Sequence, residues 1–180
     1  MKLERDRTAL VVVDVQEAFR PAIVQFDRVA RNVGVLVQGA HALSIPLLVT
    51  EQYPKGLGRT VPEVSRHLDG ITPIEKDCVS AADAEQFSER LAQSGRDQVL
   101  LCGIESHVCV SQTADDLLAG GREVHVAQDA VSSRTEENRA LGLHKMEQAG
   151  AVVTSVEAAL FELLGAAGTP EFKEIQRLVR

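Results

Sequence analysis

Residues Thr8–Val13 read TALVVV, six apolar or β-branched residues with no alternation of polar and apolar. A strand covered on one face alternates and a strand covered on both does not, so this run predicts a strand inside a sheet that is packed on either side. Similar runs follow at Pro46–Thr50 (PLLVT), Gln98–Cys102 (QVLLC), Glu123–Ala127 (EVHVA) and Ala151–Thr154 (AVVT), with a further strand-like stretch over Thr72–Lys76. Segments of helical period separate them. Val29, Val33, Leu36, Val37 and Ala40 form one stripe; Ala84, Phe87 and Leu91 form a second, which Asp83 would cap and Gly95 would stop. Val110, Ala114, Leu117 and Leu118 form a third that ends at Gly120-Gly121, and a fourth helix runs from Thr135 towards Gln148 until Gly150 breaks it.

Strands alternating with helices require right-handed crossovers and therefore a parallel sheet with helices on both faces. The prediction is a single-domain α/β protein: a three-layer α/β/α sandwich around a six-stranded, mostly parallel, doubly wound (Rossmann-like) sheet. A chain of 180 residues suits one such domain and not two. Residues 1–165 form the body, and 166–180 read as a C-terminal helical extension of the same domain, with Pro170 at its first helical position. Its stripe of Phe172, Ile175, Leu178 and Val179 must be buried either on its own domain or on a neighbouring subunit. The Gly- and Pro-rich segment QYPKGLGRTVP reads as a mobile loop.

Composition removes several function classes. The net charge is -7 and no Lys/Arg cluster offsets it, which argues against a nucleic-acid partner. No apolar run approaches the ~20 residues of a membrane span, and MKLERDRTAL lacks the apolar core of a signal peptide, so a cytoplasmic protein with no membrane partner is expected. Cys78, Cys102 and Cys109 make an odd count without a CxxC pair, and the five histidines are scattered. Neither a disulfide scaffold nor a metal or other cofactor is expected.

In doubly wound sheets, ligands bind beyond the carboxyl ends of the strands, where the strand order reverses. Asp14 closes the first strand, Lys76 closes the third, and Cys109 follows the fourth after Gly103, where a helical pattern begins. Free backbone N–H groups and the helix dipole at such a position favour thiolate. Taken singly, Asp14 reads as a loop cap, Lys76 as a surface lysine and Cys109 as a small buried residue. All three at strand ends place an acid, a cation and a thiol at one edge of the sheet.

The segments ALVVVDVQEAF with Asp14, IEKDCVSA with Lys76, and CGIESHVCVSQTADDL with Cys109 closely resemble the isochorismatase-like cysteine hydrolases, in that order and at comparable spacing, to about Thr154. The loop EQYPKGLGRT is similar to the branch of YcaC-like and isochorismatase domain-containing proteins. The resemblance implies an Asp14-Lys76-Cys109 triad in which Cys109 attacks a carbonyl carbon, Asp14 moves the proton and Lys76 orients the carboxylate. It also implies a cis peptide at Ile104-Glu105 that turns the backbone N–H of Glu105, with that of Cys109, towards an oxyanion, leaving the Glu105 side chain incidental. Nicotinamidases of this group carry an Asp-x-His metal motif where this chain has Thr50-Glu51-Gln52-Tyr53-Pro54, and true isochorismatases lack the cysteine.

The expected function is therefore a metal-independent hydrolase that cleaves an amide-type C–N bond of a small-molecule substrate through a Cys109 thioester. Phe19, Gln52 and Tyr53, which follow the first two strands, are the candidates to line the pocket. Two alternatives remain open: a thiol-based redox or ligand-binding protein, and a non-catalytic oligomeric member of the family. The unpaired C-terminal stripe and the habit of the family both lead to an expected homo-oligomer, a dimer or larger.

Overall fold

The computed structural model describes residues 1–180. In chain order its elements are β1 (Thr8–Val13), α1 (Phe26–Ala42), β2 (Leu47–Gln52), the one-turn helices α2 (Pro54–Leu57) and α3 (Pro62–Ser65), β3 (Ile74–Lys76), α4 (Glu85–Gln93), β4 (Gln98–Ile104), α5 (Ser111–Ala119), β5 (Glu123–Ser132), α6 (Glu136–Ala149), β6 (Val152–Thr154), α7 (Val156–Leu164) and α8 (Pro170–Leu178). The six strands make one sheet in the order β3-β2-β1-β4-β5-β6, every pair parallel. The chain winds outward from β1 first one way and then the other, so the order reverses between β1 and β4. No helix is long and apolar enough to cross a membrane.

The unbroken apolar runs fill two cores, one on each face. Leu10 and Val12 of β1 join Val33, Leu36, Leu160 and Ile175 under α1, α7 and α8. Ala9, Val11 and Val13 join Phe87, Leu117 and Met146 under α4, α5 and α6. Each fully buried Val or Leu of β1 contributes about 1.5–3 kcal/mol of transfer free energy, which is why no polar residue interrupts the run. The two edge strands, β3 and β6, are only three residues each, which leaves little unpaired backbone at either edge.

Three expectations are corrected. Asp83 does not cap α4. The Ser80 hydroxyl accepts the Ala82 N–H at 3.2 Å and caps a short 3₁₀ turn over Ala81–Asp83, after which the backbone extends at Ala84 and α4 begins afresh. The fifth strand does not stop at Ala127. β4 advances two residues, Leu101 to Gly103, while β5 advances five, Val126 to Val131, so a bulge over the polar Gln128-Asp129 hides the continuation to Ser132. The C-terminal stripe is engaged within the chain, because Ile175 is fully buried and Phe172, Leu178 and Val179 pack on the same core. Arg5 holds Glu171 at 3.2 Å on the outer side of α8. The stripe therefore no longer argues for a neighbouring subunit.

At Gly103 the backbone of β4 leaves no room for a side chain against β1. The Gly103 φ is +119°, and a Cβ there would stand 2.0 Å from the Val13 carbonyl oxygen. Any side chain forces β4 away from β1 beside Asp14. Gly103→Ala should destabilise the fold by about 3 kcal/mol, seen as a fall of about 6–12 °C in Tm. A melting curve that overlays the wild type would refute this account of the close approach.

Candidate active site

The register of the sheet decides which polar residues meet. Val13 pairs with Thr50 on one side and Gly103 on the other, and Gln52 pairs with Lys76. Asp14 leaves β1 at φ +53°, a left-handed turn that carries its side chain to the strand end. There Oδ1 accepts the Thr50 hydroxyl at 2.7 Å, and Oδ2 lies 2.9 Å from Lys76 Nζ, both side chains having no exposed surface.

Lys76 Nζ has four oxygens around it and three hydrogens to give. Gln52 Oε1 at 2.6 Å and the carbonyls of Cys78 and Val79 at 3.0 and 3.1 Å take the hydrogens. Asp14 Oδ2, the fourth oxygen, meets the charge of the ammonium at 2.9 Å.

The thiol stands beside that acceptor. After β4, the Ile104-Glu105 peptide is cis, and the chain makes one π-helical turn over Ser106–Val110 before α5 begins. The N–H groups of Val108 and Val110 both return to the Glu105 carbonyl at 3.1 Å. Cys109 thus lies in the π turn rather than in the first turn of an α-helix. Its carbonyl accepts the Thr113 hydroxyl at 2.7 Å, and the same hydroxyl accepts the Ala81 N–H at 2.9 Å, joining the turn to the loop after Lys76. From behind, α6 presses Gly142 against the turn so closely that a Cβ there would meet the Ser106 carbonyl at 2.5 Å.

The electrostatics oppose the expected thiolate. Burial pushes the Cys109 thiol up to about 12, the Asp14 charge adds to the rise, the Lys76 ammonium opposes it, and a hydrogen bond with Asp14 adds again. The physical reason is charge count: Asp14 and Lys76 already neutralise one another, and a thiolate would put an unmatched negative charge in a desolvated site. Cys109 rests as a thiol next to a carboxylate.

Of the three pocket candidates, Gln52 reaches the site through Lys76, and its Nε2 donates to the Asp77 carbonyl at 3.0 Å. Tyr53 is 55% exposed, and its backbone N–H donates to the Lys76 carbonyl. A cavity of ≈ 220 Å³ beside it is lined by Tyr53, Pro54, Lys55, Glu75, Lys76 and Asp77, without Asp14 or Cys109. Phe19 is half-buried against the α1 face of the core. The buried Glu105 side chain has a structural part: it accepts Arg134 Nε at 3.0 Å and the Arg134 N–H at 3.1 Å, fixing the segment after β5 on the turn that carries Cys109. Nearby, Ser133 Oγ lies 2.7 Å from Ser106 Oγ and 2.9 Å from His107 Nδ1.

Gln16, Glu51, Thr113 and Gly142 shape the site without being singled out by the sequence. Gln16 is fully buried, donates to the carbonyls of Gln52 and Gly58 at 2.9 and 2.8 Å, and accepts the Gln52 N–H at 2.7 Å. Glu51 takes the Thr60 N–H and hydroxyl, each at 2.7 Å, and pairs with Arg59 at 2.9 Å. The segment from Tyr53 to Thr60, expected as a mobile loop, is thus bonded to the sheet at both ends and at Gly58. Only Gly142 carries a usable signal, since a glycine inside a helix costs about 1 kcal/mol against alanine and implies a packing reason.

Asp14 raises the Cys109 thiol, so removing its charge must lower it and increase the thiolate fraction at a given pH. Asp14→Asn should therefore react with iodoacetamide at Cys109 about tenfold or more faster than the wild type at pH 8, because the labelling rate follows the thiolate fraction. The wild type should label far more slowly than a free thiol of pKa ~8.5. An unshifted wild-type profile, or a slower variant, would contradict this picture of the site.

Comparison with known proteins agrees with the geometry. The Isochorismatase domain model matches residues 8–158. Isochorismatase domain-containing protein 2 of Danio rerio is 42% identical over 178 residues, covering 99% of this chain and 89% of that protein. Among solved structures, the MAR1 ribonuclease of Caenorhabditis elegans superposes with a TM-score of 0.94 at 43% identity, covering 99% of this chain and 92% of that one. The YcaC product of Escherichia coli, described as an octameric hydrolase of unknown specificity, superposes at 0.87 with 25% identity, covering 92% and 83%. With its domain model matched over most of its length and relatives above 40% identity along nearly all of it, this chain belongs to the isochorismatase family.

Proposed function

We propose that the protein is a cysteine hydrolase that cleaves an amide-type C–N bond of a small molecule. The observation that carries the reading is the buried Asp14 carboxylate, held by Lys76 at 2.9 Å and raising the Cys109 thiol through its charge and a hydrogen bond.

In this reading Cys109 Sγ attacks the carbonyl carbon as its proton passes to Asp14, so no free thiolate accumulates and the site never holds an unmatched charge on sulfur. The oxygen of the tetrahedral adduct is taken by the backbone N–H groups of Glu105 and Cys109. Asp14 returns the proton to the leaving amine, the C–N bond breaks and a thioester remains. Water then adds to the thioester and gives a proton to Asp14, the C–S bond breaks, the acid leaves and the thiol regains its proton. Lys76 stays charged throughout and holds Asp14 in place. The Glu51 carboxylate is engaged by Thr60 and Arg59 and has no part in the cycle.

A panel of small primary and secondary amides should yield at least one substrate whose turnover falls about 10²–10⁴-fold in Asp14→Asn and is abolished in Cys109→Ser. Acid quenching should leave an acyl adduct on the Cys109 peptide by mass spectrometry. Turnover that survives Cys109→Ser would exclude the reading; no turnover together with reversible peroxide oxidation of Cys109 would favour the thiol-redox alternative.

A second reading comes from the Caenorhabditis elegans relative, which carries the name ribonuclease. The net charge of -7 opposes it, because binding a phosphate backbone draws its affinity from clustered Lys and Arg. End-labelled single-stranded RNA should remain intact with the wild type. Cleavage that disappears in Cys109→Ser would reverse the ranking. We also propose a homo-oligomer, now supported by the octameric Escherichia coli relative alone, with sedimentation velocity as its test.

A further inference from the structure

One histidine is enclosed in the sheet, away from the proposed chemistry. His125 of β5 has no exposed surface, and neither of its ring nitrogens has a hydrogen-bond partner. The register sets it between Leu100 of β4 and Val152 of β6. Val124 and Val126 face the α4–α6 side, so the alternation of the strand turns His125 to the other face, which α1 and α7 cover with Leu36, Ala40, Leu160 and Leu163. A ring without partners is tolerated there only while neutral, since an imidazolium has two N–H donors to satisfy and a charge to balance. Burial accordingly holds His125 below the usual histidine range; Glu162 raises it, the Met1 amine lowers it further, and Glu123 raises it, with burial outweighing them all.

The two carboxylates that act on this ring are engaged elsewhere, and both help to fasten the segment ahead of β1. Glu162 of α7 accepts the Leu3 N–H at 2.9 Å. Glu123 accepts Arg7 at 3.1 Å and Gln98 Nε2 at 2.7 Å. The fully buried Gln98 donates in turn to the Lys2 carbonyl at 3.0 Å and accepts the Glu4 N–H at 2.8 Å. Leu3 belongs to the core on the face that His125 shares.

We propose that His125 makes residues 2–7 a pH-sensitive latch, closed over the neutral imidazole and released when the ring takes a proton. Leu100, Val152 and the side chains of α1 offer no charge, so an imidazolium draws on Glu162 in competition with the Leu3 N–H. Release of the segment admits water to the ring and restores the ordinary histidine pKa of ~6.5. Opening therefore takes up a proton, and its equilibrium rises as the pH falls below that value. Between pH 7.5 and pH 5.5 the rise is about tenfold.

The measurement is amide hydrogen exchange of the full-length protein at these two pH values, read by mass spectrometry and corrected for the intrinsic pH dependence of exchange. Peptides covering Leu3 and Glu4 should lose about tenfold in protection at pH 5.5, while peptides from β1 change by less than about twofold. His125→Phe, which retains the other four histidines, should abolish the loss. No loss in the wild type, or an equal loss in His125→Phe, overturns the proposal. A loss that β1 shares to the same degree is global acid unfolding and overturns it as well. Should the melting curve of His125→Phe show it unfolded, His125→Leu replaces it, read by the same ratio between the two pH values.

Discussion

Asp14 and Lys76 are opposite charges 2.9 Å apart with no exposed side-chain surface, and the end of the sheet is organised around them. Taking a carboxylate and an ammonium out of water costs several kcal/mol per ion, and the attraction between them offsets that cost only when the remaining lone pairs and hydrogens find partners. Thr50, Gln52 and the carbonyls of Cys78 and Val79 supply those partners around the pair. Such pairs are a poor way to gain stability. A fold that keeps one next to a thiol fits the proposed proton transfer from Cys109 to Asp14.

The same constraint explains the state of the thiol. A lone cation beside Cys109 would favour thiolate, and so would a helix start by itself. The structure adds a carboxylate that consumes the cation, and it places Cys109 in a π turn whose Glu105 carbonyl already receives two N–H groups. In the proposed mechanism, proximity of a base replaces a lowered pKa as the means of activation. The two strategies differ in exposure to chemistry: a resting thiolate reacts with any electrophile that enters, whereas a thiol paired with a base reacts best with a carbonyl whose leaving group can take the proton back.

Most of the fold was legible because burial on both faces removes polar residues from a strand, and that absence is visible in TALVVV and QVLLC without any partner. Asp14 and Lys76 were legible for the complementary reason, being charges at the ends of apolar runs. What escaped depends on contacts across the chain. The continuation of β5 lies behind the polar bulge at Gln128-Asp129; the capping of the turn before α4 depends on Ser80, three residues before Asp83; and Gln16 looks like a surface residue until the return of the loop from Gly58 buries it. The cation in IEKDC was readable, but the neutral glutamine that accepts from it was not, because that contact exists only in the β2–β3 register.

The segment between β2 and α3 draws these points together. Its glycines and prolines give it the composition of a lid, yet Gln16 holds it at Gly58, Glu51 holds it at Arg59 and Thr60, and Arg20 holds Glu63 just beyond at 3.0 Å. The two residues that fasten it stand next to two that surround Lys76, Gln16 beyond Asp14 on the β1 exit and Glu51 beside Gln52 on β2, so a motion that opened the loop at Gln52 would also pull an acceptor away from Lys76. Gly56 and Gly58 are accordingly better read as the residues that let a tight loop close than as hinges, since Gly58 sits at φ +75° and a Cβ on Gly56 would run into the Tyr53 ring at 2.4 Å. The four oxygens around the Lys76 ammonium are thus held by the strands and turns to which the loop itself is fastened.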